Sequence, residues 1–255
     1  MFFREKAFLS PDAEAWQIEC WAWHLCHTGG LEAFRERPLV LPNSDFFPSV
    51  GLQDEALVEH IFRRVQELCG MSEWKVDLEP HQATPLDDGG WAIVEMERPC
   101  GGTFQYSGDG AVITYNPDLL DQPFTLVAMF AHEFGHYLNG GFEIDPPGGE
   151  DLNEPATDIS AAFMGFGIFS ANDCLNFKTH SDGMFSASYG GKAGYLSEKE
   201  WVFALAIFLA MRGMSHEITK PFLKNHLFKW LQKAQLYLQK RDIIAKISQI
   251  LETPT

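Results

Sequence analysis

The first part of the chain carries two helical patterns separated by a proline-rich break. Asp12–His27 and Gln53–Cys69 both have the composition of helices, and in the second segment apolar residues recur every three or four positions. Gly70 follows as a helix stop signal. Between the two segments, Pro38–Pro48 contains three prolines and an Asn-Ser-Asp cluster, which is typical of a loop. Residues 1–72 are therefore predicted to form a helical N-terminal part.

After Trp74 the pattern changes to short strands. Four runs alternate in polarity or are rich in β-branched and aromatic residues, and glycine-rich turn clusters separate them. The predicted strands are Lys75–Leu78, Trp91–Met96, Thr103–Tyr106 and Ala111–Tyr115. Because they follow one another through short turns, we expect a small antiparallel sheet.

Helical patterns return after the strands. The predicted helices are Phe124–Asn139, Ala156–Ser170, Glu198–Met211 and Ile218–Leu251. Pro155 and Pro221 fall where the first turn of a helix tolerates proline. A long loop is expected at Lys178–Gly194, which is rich in glycine, serine and tyrosine. This order predicts an α+β fold in a single domain, residues 1–255, with a core at residues 73–175 and a C-terminal part at residues 176–255.

Composition narrows the class of protein. The chain of 255 residues is 45% hydrophobic, which is enough for a substantial core and excludes wholesale disorder. Its net charge of −16 argues against nucleic acid as a partner. The longest uncharged apolar stretch, Ile159–Asn172, is shorter than the ~20 residues of a membrane span. With five cysteines, no CxxC pair and no secretion signal at the start, we expect a soluble cytoplasmic protein with free thiols.

One motif on the Phe124–Asn139 helix carries chemistry. Residues 132–136 read His-Glu-Phe-Gly-His, the HExxH pattern. Positions four apart share one face of a helix, so His132 and His136 can bind one Zn²⁺. Glu133 is offset around the helix, where it can face a metal-bound water as general base. The motif therefore predicts a zinc site with a metal-activated water.

A third ligand is expected downstream, because catalytic zinc usually takes three protein ligands. The extended motif with a third histidine fails, since its later positions hold Asn139 and Phe142. Glu154 and Asp158 are four residues apart on the next predicted helix. We predict that Glu154 binds the metal and that Asp158 accepts a hydrogen bond from the distal nitrogen of His132. The rival acidic residues are Glu143, Asp145, Glu150 and Asp151.

HExxH followed by Asn-Glu-x-x-x-Asp resembles the gluzincins, the thermolysin-like clan of zincin metallopeptidases. The resemblance covers about Ala111–Ser170, and Glu154–Phe169 is also similar to a group of bacterial proteins with an HExxHY helix. It implies a zincin-like fold in which two histidines and the downstream glutamate hold zinc and the aspartate orients the first histidine. It also implies that an extended peptide lies along an edge strand, for which Gly110–Asn116 occupies the corresponding place.

Peptide hydrolysis needs a donor for the oxyanion besides the metal. Tyr195 and His180 are the favoured candidates, and Tyr189 and His216 are alternatives. Cys20, Cys26, His24 and His27 fall on one predicted helix without the spacing of a zinc ribbon, so we predict no second metal site there and interpret His24 as a surface or core histidine.

The sequence thus predicts a zinc-dependent peptidase or related amide hydrolase acting on a peptide or protein. Two alternatives remain open. One is a non-catalytic metal-binding protein that retains a peptidase fold, and the other is a regulatory protease with a single partner protein. A divalent metal other than zinc also stays possible, since affinity order alone does not decide occupancy in cells.

Overall fold

A computed structural model describes residues 7–48, 51–81, 101–180 and 195–252, with the side chains of residues 175–180 excepted. Helices account for most of this part of the chain. They are α1 (Pro11–His27), α2 (Gly30–Arg35), α3 (Asp54–Leu68), α4 (Pro123–Gly140), α5 (Asn153–Phe163), α6 (Gly167–His180), α7 (Glu198–Met211), α8 (Asn225–Lys240) and α9 (Ile243–Glu252). The strands are β1 (Val76–Pro80), β2 (Gly102–Ser107) and β3 (Gly110–Tyr115). The predicted α+β class is confirmed at this level.

The three strands form a mixed sheet in the order β1-β3-β2. β2 and β3 make an antiparallel hairpin across a two-residue turn at Gly108, where a φ of +60° favours glycine. β1 pairs with β3 in parallel, so the predicted antiparallel sheet is wrong for this strand. The reason is connectivity. Parallel strands need a long connection between them, and the chain between Pro80 and Gly110 is long enough to provide one. The predicted strand Trp91–Met96 lies outside the described residues.

Two predicted helices are divided in the structure. The segment Ala156–Ser170 was expected to be one helix, but α5 ends at Phe163 and α6 begins at Gly167. Between them Gly165 has a φ of +100°, and a Cβ there would lie 2.1 Å from the carbonyl oxygen of Pro38. Gly165 therefore takes a backbone conformation that breaks the helix, and the start of the loop at Pro38–Pro48 packs so closely there that only glycine fits.

The C-terminal prediction, Ile218–Leu251, is likewise wrong as a single helix. A 3₁₀ turn at His216–Thr219 precedes α8, and Asp242, with a φ of +49°, separates α8 from α9. Pro221 lies before α8 and not in its first turn. The expected loop at Lys178–Gly194 begins later than predicted, because α6 continues to His180, and its remaining residues fall outside the described part.

Helix α4 lies at the centre of the packing. It is in contact with α3, α5, α6 and β2, and its apolar residues from Leu126 to Phe134 are buried. Phe62 of α3 packs against two of its rings, with centroids 5.1 Å from Phe130 and 5.3 Å from Phe134. A helix enclosed in this way holds its side chains in fixed rotamers, which suits it to carry a site. Among the described residues, no helix combines the length and the apolar character needed to cross a bilayer.

Candidate metal centre

Three potential metal ligands meet between α4 and α5. The Nε2 atom of His132 lies 3.3 Å from one carboxylate oxygen of Glu154, and Nε2 of His136 lies 3.6 Å from the other. The potential ligand atoms of the three residues all lie within 4.8 Å of one another. Helix periodicity brings the two histidines to one face of α4, and the packing of α5 on α4 adds the glutamate. This group could hold a metal ion.

The donor set fits a metal of the zinc type. Ligand atoms about 2.0–2.1 Å from a tetrahedral zinc lie about 3.3 Å from each other. Nε2 of His132 is 3.3 Å from one oxygen of Glu154, which matches this spacing, and Nε2 of His136 is 3.6 Å from the other oxygen. Nδ1 of His132 is 2.9 Å from a carboxylate oxygen of Asp158 and must donate to it. A neutral His132 then turns an unprotonated Nε2 toward Glu154. Two acceptor atoms at 3.3 Å repel, so a proton or a metal cation is needed between them.

The electrostatics of the group also favour positive charge at this point. Burial by itself lowers the pKa of His132, but hydrogen bonds to Asp158 and Glu154 outweigh it and hold that pKa well above its ordinary value. For Glu154, burial acts to raise the pKa, yet the two histidines lower it far below its usual range. The carboxylate of Glu154 is therefore ionised and available as a ligand.

Glu133 is a buried carboxylate that directly follows His132 in the chain. Its side chain lies on α4 and is only 4% exposed. Burial raises its pKa, and the histidines oppose that rise while Glu154 adds to it. A raised carboxylate pKa brings the group closer to neutral pH, where a general base transfers protons effectively. A buried carboxylate with a raised pKa thus lies within electrostatic range of all three potential ligands.

Asp158 bridges the site to the start of α7. One of its oxygens accepts from Nδ1 of His132, and the other accepts from the backbone N–H of Leu196 at 2.8 Å. The carboxylate is 3% exposed, so both bonds are shielded from water. The orientation of His132 is therefore tied to α5 and to the segment just before α7.

We expect Asp158→Asn to weaken zinc binding about 10–100-fold, the range for partners of metal-bound histidines. Asparagine has one acceptor oxygen, but the site has two donors, Nδ1–H of His132 and the backbone N–H of Leu196. One of these donors would therefore face the NH₂ group of the asparagine. Competition with a chromophoric chelator measures the affinity. Asp151→Asn, at an exposed acid outside the group, is the matched control and should bind as the wild type. Equal affinity of both variants would contradict this role of Asp158.

His136 is oriented by Thr157, a residue that the sequence analysis did not identify. The hydroxyl oxygen of Thr157 lies 3.3 Å from Nδ1 of His136 and also bonds the carbonyl of Asn153 at 2.9 Å. The sequence did contain a signal, because Thr157 lies beside Asp158 in the predicted ligand helix. A residue next to one orienting group is well placed to orient the second histidine.

Gly135 permits the close approach of α4 and α5. A Cβ at this position would lie 2.9 Å from both Cγ2 and the carbonyl oxygen of Thr157, and 3.2 Å from Cβ of Ser160. Contacts below 3.0 Å to backbone require the helices to separate. The glycine inside the HExxH motif is thus what allows Glu154 to reach the two histidines.

Gly135→Ala should therefore destabilise the fold by about 2 kcal/mol, since overpacking typically costs about 1–3 kcal/mol and exceeds the gain in helix propensity. Because α5 must move away from α4, zinc affinity should fall in the same variant. Denaturant unfolding of the metal-free protein and chelator competition measure the two effects separately. A more stable variant with unchanged affinity would contradict the close approach.

The connection between α4 and α5 is attached to α1. The indole N–H of Trp16 donates to the carbonyl of Pro147 at 2.7 Å, and that of Trp23 donates to the carbonyl of Ile144 at 3.0 Å. These bonds satisfy backbone oxygens of an irregular segment. Helix α1 consequently supports the segment that leads from the histidines to Glu154.

The predicted oxyanion donors have different outcomes. Tyr195 lies beside the site, with its ring centroid 5.3 Å from that of His132, and it borders a small enclosed cavity together with Cys174 and Trp201. His180 is the last residue of α6, and its side chain lies outside the described part of the chain. The whole of Tyr189 lies outside it too. His216 bonds Gln235 instead, with Nδ1 at 2.7 Å. Their role toward an oxyanion stays a prediction.

The strand predicted to carry an extended peptide is the central one. β3 is paired with β1 on one side and β2 on the other, so both of its edges are occupied and the expectation for Gly110–Asn116 is wrong. Sequence order suggested β3 because it directly precedes α4, but pairing decides which strand is an edge. β2 lies nearer the site: Phe104 stacks on His136 at a centroid distance of 6.1 Å.

The rival acids Glu143, Asp145, Glu150 and Asp151 do not join the group, which within the described residues consists of His132, His136 and Glu154. Comparisons of the chain with protein-family models, with characterised proteins and with solved structures found no match. The function proposed below therefore rests on the local geometry of these residues.

Proposed function

We propose that the protein is a zinc-dependent peptidase or related amide hydrolase with a zincin-like fold of the gluzincin type. In this proposal His132, His136 and Glu154 hold Zn²⁺, and Glu133 is the general base. The observation that carries it is the meeting of two imidazole nitrogens and a carboxylate on two packed helices, with a second, buried carboxylate beside them. A purely structural site has no need of a general base and is normally closed by a fourth ligand.

Each residue has a defined task in this reaction. Bound zinc would polarise the scissile carbonyl and lower the pKa of water. Glu133 takes a proton from the attacking water and passes it to the leaving amine nitrogen, so that it starts and ends as a carboxylate. Asp158 keeps the proton of His132 on Nδ1, and Thr157 accepts from Nδ1 of His136. Both histidines then present Nε2 to the metal.

β2 is the proposed binding edge for an extended substrate. It pairs with β3 on one side, and within the described ranges no strand pairs with its other side. It also carries Phe104, whose ring is nearly parallel to that of His136 at a centroid distance of 6.1 Å. Backbone hydrogen bonds to a strand edge bind extended peptides with little sequence preference, which supports a peptide or protein substrate.

The first experiment is metal analysis of protein purified without chelator or histidine tag. The proposal expects about one zinc per chain by mass spectrometry. The zinc-loaded protein is then incubated with a mixed peptide library, and new termini are identified by mass spectrometry. Cleavage should stop on chelation and return with added zinc. Absence of bound metal, even after incubation with zinc, would contradict the proposal.

The same metal analysis and library incubation also test the alternative, a non-catalytic metal-binding protein. It would contain the metal, cleave no library peptide and fail to bind a hydroxamate, because its metal has no exchangeable position. Hydroxamate binding without library cleavage would instead indicate a protease restricted to one partner protein. Calorimetric titration with a simple hydroxamate therefore separates these two cases.

A further inference from the structure

A short non-helical segment, Tyr195–Ser197, lies against the metal centre just before α7. Its middle residue, Leu196, is 3% exposed, so its backbone N–H and carbonyl need partners within the protein. Because the segment is neither helix nor strand, side chains satisfy both groups. The N–H donates to Asp158 at 2.8 Å, and the carbonyl oxygen accepts from the thiol of Cys174 at 3.2 Å. Leu196 is therefore held between α5 and α6 by both of its backbone polar groups.

Each hydrogen bond between Cys174 and His132 has its own proton. The carbonyl of Leu196 has no proton to give, so the thiol of Cys174 donates the first bond. The backbone N–H of Leu196 donates to one oxygen of Asp158, and Nδ1–H of His132 donates to the other at 2.9 Å. Both oxygens of the carboxylate act only as acceptors. A continuous path thus runs from the middle of α6 to the first histidine of the motif.

The same segment closes the space behind His132. The ring centroid of Tyr195 lies 5.3 Å from that of His132, and the cavity that Tyr195 borders together with Cys174 and Trp201 has a volume of about 10 Å³. A space of this size holds at most one water molecule. Direct contacts between protein groups, and not a layer of solvent, therefore fix where the segment lies.

We propose that Cys174 is a positioning residue of the metal centre. Its thiol fixes the carbonyl of Leu196, which keeps the N–H of Leu196 on Asp158 and so holds the imidazole of His132 in its metal-binding orientation. The inference rests on the proposed metal centre, but not on hydrolysis. A thiol is a weak donor, yet a buried carbonyl without a partner is costly, so this bond favours the one placement of the segment that satisfies the carbonyl.

The test compares two substitutions of nearly the same shape. Cys174→Thr keeps a donor at this position, whereas Cys174→Val replaces it with a methyl group. We expect Cys174→Val to lower zinc affinity about 3–10-fold, less than the loss of a direct partner of a metal-bound histidine, because Cys174 acts one step further out. Cys174→Thr should stay within about 2-fold of the wild type, since its hydroxyl can donate to Leu196. Competition with a chromophoric chelator measures the affinities.

Cys69→Val is the matched control. Cys69 is also 3% exposed, but it follows the end of α3 and does not border the cavity behind His132. The substitution adds the same bulk to a buried cysteine site, so any effect of general loosening should appear in both valine variants. Cys69→Val should bind zinc as the wild type does.

Two further measurements follow the path itself. In the Asp158→Asn background, Cys174→Val should cause little additional loss of affinity, because both substitutions break one path. In zinc-loaded protein labelled with ¹⁵N-histidine, the Nδ1–H signal of His132 should shift or exchange faster in Cys174→Val, but not in Cys174→Thr or Cys69→Val.

The outcomes are distinct. Wild-type affinity in Cys174→Val, equal losses in the two valine variants, or losses that add to that of Asp158→Asn would overturn the role of Cys174. A wild-type protein that binds no zinc would overturn this role and the proposed function together. Zinc binding with the predicted losses but without peptide cleavage would support the role of Cys174 and remove only the peptidase.

Discussion

Glu133→Gln is expected to reduce kcat/KM for peptide cleavage by about 10²–10⁴-fold, the usual contribution of a general base. Glutamine has nearly the same shape as glutamate but accepts no proton at neutral pH. The side chain is buried, so bulk water cannot easily replace the missing base. Rates are measured on a peptide found in the library experiment, at equal zinc content of variant and wild type.

Two controls make this result specific. Glu143→Gln removes an exposed carboxylate after the same helix and should leave the rate unchanged. Zinc content of Glu133→Gln should match the wild type, because Glu133 is not part of the ligand group. A variant that retains more than about a tenth of the rate would refute the assignment of Glu133, given the size of general-base effects.

Glu154→Ala is the second large effect, and it acts on the metal itself. We expect zinc affinity to fall more than about 100-fold, since loss of a ligand exceeds the 10–100-fold cost of losing an outer partner. The variant removes the carboxylate whose two oxygens lie 3.3 Å and 3.6 Å from the histidine nitrogens. Chelator competition gives the affinity, and mass spectrometry of chelator-free protein should show the zinc lost.

Glu150→Gln is the matched control, because this acid is exposed in the turn just before α5 and outside the ligand group. It should retain zinc. If Glu154→Ala retained zinc while Glu150→Gln lost it, the third ligand would come from the connection between α4 and α5, and not from α5. That result would make Glu150, one of the rival acids, the third ligand in place of Glu154.

The helices and their ligand positions are local properties, and the sequence predicted most of them. The boundaries of α1, α3, α4 and α7 agree with the predictions to within one or two residues. His132 and His136 share a face because of helix period, and Glu154 and Asp158 repeat that spacing on α5. All four side chains do meet in the structure.

Contacts between distant segments decided the rest. The break between α5 and α6 contains Gly165, where the carbonyl of Pro38 leaves room only for glycine, and no pattern near Gly165 records that neighbour. The parallel pairing of β1 and the central place of β3 depend on which strands meet, so the edge beside the site could not be read from strand order.

The contacts that surround the candidate metal ligands also join distant segments. His24 and Ser160 are 136 residues apart, and Asp158 meets the backbone of Leu196 across 38 residues. Sequence by itself determined which candidate ligand types stand at helical spacing, because that information lies within short segments. Only the tertiary structure decided what orients the ligands, because a hydrogen bond between remote segments depends on how whole helices pack.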